Sequence, residues 1–159
     1  MRIYNCLFED VSIAAAQDLV QITGAAGKMM FIIEMAVGCT DTALATGQDI
    51  KVRARYLPAT VSVGSGGTTG ITPSKVDPGD AACSSSTCAT NNTSQATTNG
   101  TAVKLYENGC HLYQGDRYRF PDAERPPIGP SEAFVWELLS TVSGTVHMSG
   151  YVKFGEVGG

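Results

Sequence analysis

Apolar and polar residues alternate with a period of two through most of this chain, the pattern of strands that bury one face. In residues 2–8, Tyr4, Cys6 and Phe8 alternate with Ile3, Asn5 and Leu7, and in 19–23 Leu19, Val20 and Ile22 frame Gln21. The turn Gly24-Ala25-Ala26-Gly27 leads into 28–39. There Met30, Ile32, Glu34 and Ala36 share one face and Met29, Phe31, Ile33, Met35 and Val37 the other, which is the better core face. From 49 to 63, Ile50, Val52, Ala54 and Tyr56 alternate with Lys51, Arg53 and Arg55, which predicts a strand with one wet, basic face. Pro58 interrupts its ladder, and Val61 and Val63 resume it. Strand patterns return at 103–107, at 109–120 around a Gln114-Gly115-Asp116 turn, at 133–139 and at 145–154. Pro121, Pro126, Pro127 and Pro130 mark a rigid, non-helical loop, and the best helical signal, in 12–22, has room for one turn at Ala14-Ala15-Ala16-Gln17-Asp18.

Between about 64 and 102 the alternation gives way to Gly, Ser, Thr and Asn, as in Gly64-Ser65-Gly66-Gly67, Asp77-Pro78-Gly79-Asp80 and Asn91-Asn92-Thr93. Such a tract buries too little apolar area to repay its own ordering entropy, and it is expected as one extended loop. Loops of that length inside a compact domain usually serve binding, order on a neighbour or stay disordered. Gly66, Gly67, Asp77, Asp80, Asn91 and Asn92 are accordingly the candidate partner-contact residues. The whole pattern predicts a single all-β domain over 1–159, an antiparallel β-sandwich of jelly-roll type carrying this loop.

Composition narrows the function classes. Charged residues make up 16% of the chain, against about 25% in ordinary soluble domains, so the polar surface is largely uncharged. A net charge of −4 with no basic cluster speaks against a nucleic-acid partner, which needs converging Lys and Arg. No run approaches a membrane span, since Met29–Cys39 contains Glu34 and Gly38. Glu9 and Asp10 cut the first apolar run short of a signal peptide, so secretion by the usual route is not expected, and synthesis in a reducing cytoplasm fits the cysteine pattern better. Five irregularly spaced cysteines do not form the framework of a small disulfide-rich domain.

Candidate chemistry is sparse. Nucleophilic catalysis needs a nucleophile beside an oriented His. The two histidines, His111 and His147, come without a Gly-x-Ser-x-Gly elbow, and Cys110 and His111 are strand neighbours that diverge. No catalytic residue is assigned, and the chain is not expected to be an enzyme. The 64–70 glycine run lacks the Gly-Lys-Ser/Thr ending of a phosphate loop, so no cofactor is assigned. Cys83, Cys88, Cys110 and His111 lack the two tight pairs of a zinc knuckle, and Asp77 and Asp80 lack calcium-loop spacing, so no metal is assigned. Cys83 and Cys88 either remain thiols or form a local disulfide that clips the loop. Phe134, Trp136 and Tyr151 are either core aromatics or anchors of a subunit interface. Tyr113, Arg117, Tyr118 and Arg119 are read either as a basic, aromatic rim or as a solvated strand face.

The chain resembles small virion proteins of tailed bacteriophages of the capsid decoration, or cement, type. The resemblance rests on the segment Val11-Ser12-Ile13-Ala14-Ala15-Ala16-Gln17-Asp18-Leu19, on Gly64-Ser65-Gly66-Gly67 after a basic strand, and on Asp77-Pro78-Gly79-Asp80-Ala81-Ala82. Asn91-Asn92-Thr93 and the ending Met148-Ser149-Gly150-Tyr151-Val152-Lys153-Phe154 complete it, while Cys83, Cys88 and Cys110-His111 depart from it. It implies a β-sandwich that assembles as a homotrimer on the outside of a phage head and clamps the major capsid protein. The alternative expectation is a carbohydrate- or receptor-binding virion component, either a head fibre or tail-associated, on a jelly roll.

Overall fold

The computed structural model describes residues 1–41, 47–83 and 86–157. Its strands are β1 (Arg2–Ile13), β2 (Gln17–Gly24), β3 (Met29–Cys39), β4 (Asp49–Leu57), β5 (Val61–Ser62), β6 (Thr68–Ile71) and β7 (Ser74–Lys75). After these come β8 (Ser86–Asn92), β9 (Thr97–Thr98), β10 (Val103–His111), β11 (Asp116–Arg119), β12 (Pro127–Ile128), β13 (Ala133–Leu138) and β14 (Val146–Val157). One 3-10 turn, Asp122–Glu124, sits in the proline-rich connection, where no helix was expected. The helical turn anticipated at 14–18 is absent: β1 runs to Ile13 and β2 begins at Gln17, because Leu19, Val20 and Ile22 are buried from a strand ladder.

The chain folds as an all-β sandwich of two six-stranded sheets. The first has the order β11-β3-β14-β1-β7, with β12 sharing an edge of β3; the second has the order β10-β4-β13-β2-β8-β6. Every named pairing is antiparallel. Between the sheets, Tyr4, Cys6, Phe8, Met148, Val152 and Phe154 of the first meet Val52, Ala54, Cys88, Phe134, Trp136 and Leu138 of the second, all buried. A small third layer, the β5–β9 pair, lies on the outer side of the second sheet. There Ala96, Val61 and Ala102 cover Leu57, Ala133 and Val135.

Bulges decide which side chains enter the core. In β3 the partners of Lys153 and Phe154 are Glu34 and Ile32, so Ile33 is an extra residue. Met30 and Ile32 point inward before it, and Met35 and Val37 after it. The expected core face of this strand therefore holds for its second half and is inverted in its first, since an inserted residue shifts the alternation by one. β1 behaves alike: Phe8 pairs Gly150 and Val11 pairs Met148 around a bulge at Glu9 and Asp10. Asp10 takes φ 49° there, and its N–H donates to Ser149 Oγ at 2.8 Å.

The tract expected as one extended loop, 64–102, is where the structure departs furthest from the sequence pattern. It contains β6, β7, β8 and β9, and β8 is an interior strand of the second sheet, paired to β2 and β6. Its polar residues order because the ladder satisfies their backbone and because side-chain partners replace water. Asn92, fully buried, donates to Gln21 Oε1 at 3.3 Å, and the same oxygen accepts from Gly64 N at 3.0 Å. Gly66 and Gly67 lie so close to Thr93 and Asn91 that any Cβ would collide with them. Pro58 does end β4, but the strand that follows joins β9 and not the same ladder.

Candidate binding face

The outer face of the first sheet is built by the residues that strand alternation turns away from the core. Ile3, Asn5 and Leu7 come from β1, Tyr151 and Lys153 from β14, Glu34 and Ala36 from β3, and Arg117 and Arg119 from β11. No second layer covers it among the described strands, unlike the outer side of the other sheet. Antiparallel sheets keep one face on the core and leave the other to water, so partly apolar positions on the wet face stand out.

Two depressions flank the centre of this face. One, of about 430 Å³, is mainly apolar and is lined by Leu7, Phe8, Ala36, Val37, Gly38 and Tyr151. Beneath it the core ring of Phe8 packs against Gly150, where a Cβ would lie 2.2 Å from Ala36 O and 2.8 Å from that ring. Gly38 instead faces open space. The other depression, of about 200 Å³, is cationic at its rim, with Arg119, Arg125 and Lys153 around Met1 and Ile3.

Glu34 sits between them. Its carboxylate, 2% exposed as a residue, accepts from the Tyr151 hydroxyl and from Arg117 Nε at 2.9 Å. Burial pushes this carboxyl up, but the Tyr151 hydroxyl, Arg117 and Lys153 together outweigh burial and hold it below its ordinary range. The same contacts push the Tyr151 phenol up, burial first and the Glu34 carboxylate second. Lys153 lies 5.8 Å from the centroid of the Tyr151 ring. The result is a fixed charge network with an adhesive apolar groove beside it, a combination suited to a protein partner.

The residues singled out in the sequence scatter. Of the aromatic trio, Phe134 and Trp136 are fully buried in β13 and cannot anchor a contact; only Tyr151 belongs to the face. Of the contact-loop set, Asn92 is buried and Asn91, at φ 58°, is half-buried against Gln17, while Gly66 and Asp77 are exposed. Asp77 closes its own turn, accepting from Gly79 N at 2.8 Å and Asp80 N at 3.1 Å. Cys83 and Cys88 do not form the local disulfide: all five cysteines are thiols, and β8 aims Cys88 into the core.

The Tyr113–Arg119 group also divides. Tyr118 stacks inward on Tyr106 at 4.3 Å and meets Phe120 edge-on, Arg117 and Arg119 face outward, and Tyr113 is exposed on the turn beside His111. His147 Nδ1 lies 3.0 Å from Asp41. The basic face expected at 51–55 is wet only at Lys51. Arg53 and Arg55 instead converge on Glu137, at 2.5 and 2.6 Å. Among the described residues, no three His, Cys, Asp or Glu are grouped to hold a metal. No helix among them is long and apolar enough to cross a membrane.

Sequence reasoning missed Leu7, Ala36, Gly38 and Arg117 as one surface, because only the long-range pairing of β1, β14, β3 and β11 sets them side by side. The available signal was Glu34, a lone charge within the apolar run of β3. The fold and this face define the class, an all-β sandwich with one uncovered sheet face. Comparison of the chain with family models, with curated proteins and with solved structures finds no match.

Proposed function

We propose that this chain is a structural virion protein, a capsid decoration protein that binds the outside of a phage head and stabilises it. The observation that carries the reading is the uncovered outer face of the first sheet, with its apolar groove beside the Glu34, Tyr151 and Arg117 network. An exposed apolar groove on a water-facing sheet favours a large partner surface. Many copies, each adding a modest contact, hold a lattice without a tight pocket. The resemblance of the 11–19, 64–67, 77–82 and 148–154 segments to phage decoration proteins supports the same reading, with the major capsid protein as partner and a homotrimer as the assembling unit.

Light scattering of the purified chain, and co-sedimentation with capsid-like particles that lack decoration, test this. A trimer that saturates the particles at a fixed ratio is expected. A monomer that stays in the supernatant at every concentration overturns the reading.

A second reading, a glycan- or receptor-binding virion component, is favoured by one feature. A polar depression of about 530 Å³ at the β10–β11 end is lined by Asp49, Asn108, His111 and Gln114, with Tyr113 exposed next to it. Amide, carboxylate and ring together suit a sugar. A glycan screen without a hit above background removes it.

A further inference from the structure

Cys6 and Cys88 come from opposite sheets and meet in the middle of the sandwich. Cys6 lies on β1, where it pairs Val152, and Cys88 on β8, where it is flanked by Ile22 and Ile71. Both are 0% exposed and belong to one core cluster. β1 and β8 approach to Cα separations of 8 Å or less, and the Cys88 thiol is close enough to Cys6 to perturb it. Strands held on both sides fix the thiols relative to one another, and disulfides need Cα separations of about 4.4–6.8 Å.

A third thiol lies beside them. Cys83, itself half-buried, packs against the same core, and its Sγ is 3.6 Å from Glu156 Oε2. The Tyr4 hydroxyl, two residues from Cys6, donates to Ala81 O at 3.0 Å and ties the chain beside Cys83 to β1. Cys83 is thus the member of the trio that solvent reaches, while the inner pair is sealed.

We propose that Cys6 and Cys88 are a latent inter-sheet disulfide site, with Cys83 as the thiol through which a small disulfide oxidant enters. The Cys83 thiolate attacks the small disulfide, forming a mixed disulfide and releasing one small thiol. Cys88 displaces the second small thiol from Cys83, and Cys6 then attacks the Cys88 sulfur, joining the sheets and returning Cys83 as a thiol. In sum, two protein thiols are oxidised, one small disulfide is reduced to two thiols, and both protons pass to them. The contact with Cys88 and burial push the Cys6 thiol up, so Cys6 is slow to attack a dissolved disulfide itself and the route through Cys83 matters. A chain made in a reducing compartment folds with the pair open and closes it on reaching an oxidising medium.

The folded, full chain is incubated with oxidised glutathione, its remaining thiols are blocked, and it is read by intact mass and peptide mapping. The expected product has lost two hydrogens, carries no glutathione, links the Cys6 peptide to the Cys88 peptide, and melts about 5–15 °C higher. Cys83→Ser is expected to slow its formation about tenfold or more. A final link involving Cys83, glutathione retained on Cys83, or an unchanged mass while urea-unfolded chain oxidises overturns the proposal. So does a Cys83→Ser chain that oxidises at the wild-type rate.

Discussion

Asp18 is a carboxylic acid with 0% exposure on the outer side of the second sheet, beneath the segment that carries β9. Burial raises it to about 7, against an ordinary value of 3.8, even though Ala96 N donates to its Oδ2 at 2.7 Å. Glu137 adds to the rise and Arg55 opposes it. Between those two values the folded chain binds a proton that the unfolded chain has released. This group therefore contributes stability at low pH that is lost as pH rises from about 4 to about 7. Asp18→Asn, which stays neutral, is expected to flatten that part of the profile by more than about 1 kcal/mol. Urea unfolding of both chains at pH 4, 5.5 and 7 measures it, and parallel profiles would dismiss the role of Asp18.

At the scale of elements, the polar tract and the outer side of the second sheet explain each other. Glu137 on β13 is fully buried and receives Arg53 and Arg55 from β4 and Gln95, at 3.0 Å, from the segment leading into β9. Removing one member leaves two guanidinium groups facing a buried vacancy, so Glu137→Ala is expected to cost about 3–5 kcal/mol in denaturant unfolding. A loss below about 1 kcal/mol would mean that water replaces the carboxylate there. Most of the long strands are legible in the sequence: β1, β4 and β14 carry the two-residue alternation of a half-buried strand, and β13, buried on both faces, reads as a short apolar run. β8 is not, since Thr90 and Asn92 are buried polar residues and the side-chain partner of Asn92, Gln21, lies far off in the sequence. The inversion within β3 is also hidden, as Ile33 looks like any other apolar residue until its neighbour strand skips it. The candidate face is hidden for a related reason: Tyr151 was visible as an aromatic, but which residues stand beside it depends on strand pairings far apart in sequence.

For the whole molecule, the proposed docking face and the fold can be separated by one position. Gly38 borders the apolar groove, has no atom within 4 Å of where a Cβ would stand, and has no left-handed backbone to defend. Gly38→Glu therefore places a charge in the groove with a stability change within about 1 kcal/mol. Under the decoration reading it is expected to lower capsid binding about tenfold or more in co-sedimentation, with the melting temperature nearly unchanged. Full binding by this variant would move the contact off this face.

The place of β14 in its sheet bears on how the chain is made. It is the last of the described strands, yet it lies between β3 and β1 and supplies the main ladder of each. During synthesis those two early strands have no neighbour in common until Val146–Val157 has left the ribosome. One complete sheet must wait for translation to pass that point. Until then Tyr4, Phe8, Met30 and Met35 are apolar residues without a finished core, and a nascent chain that pauses before residue 146 is the species most prone to aggregate.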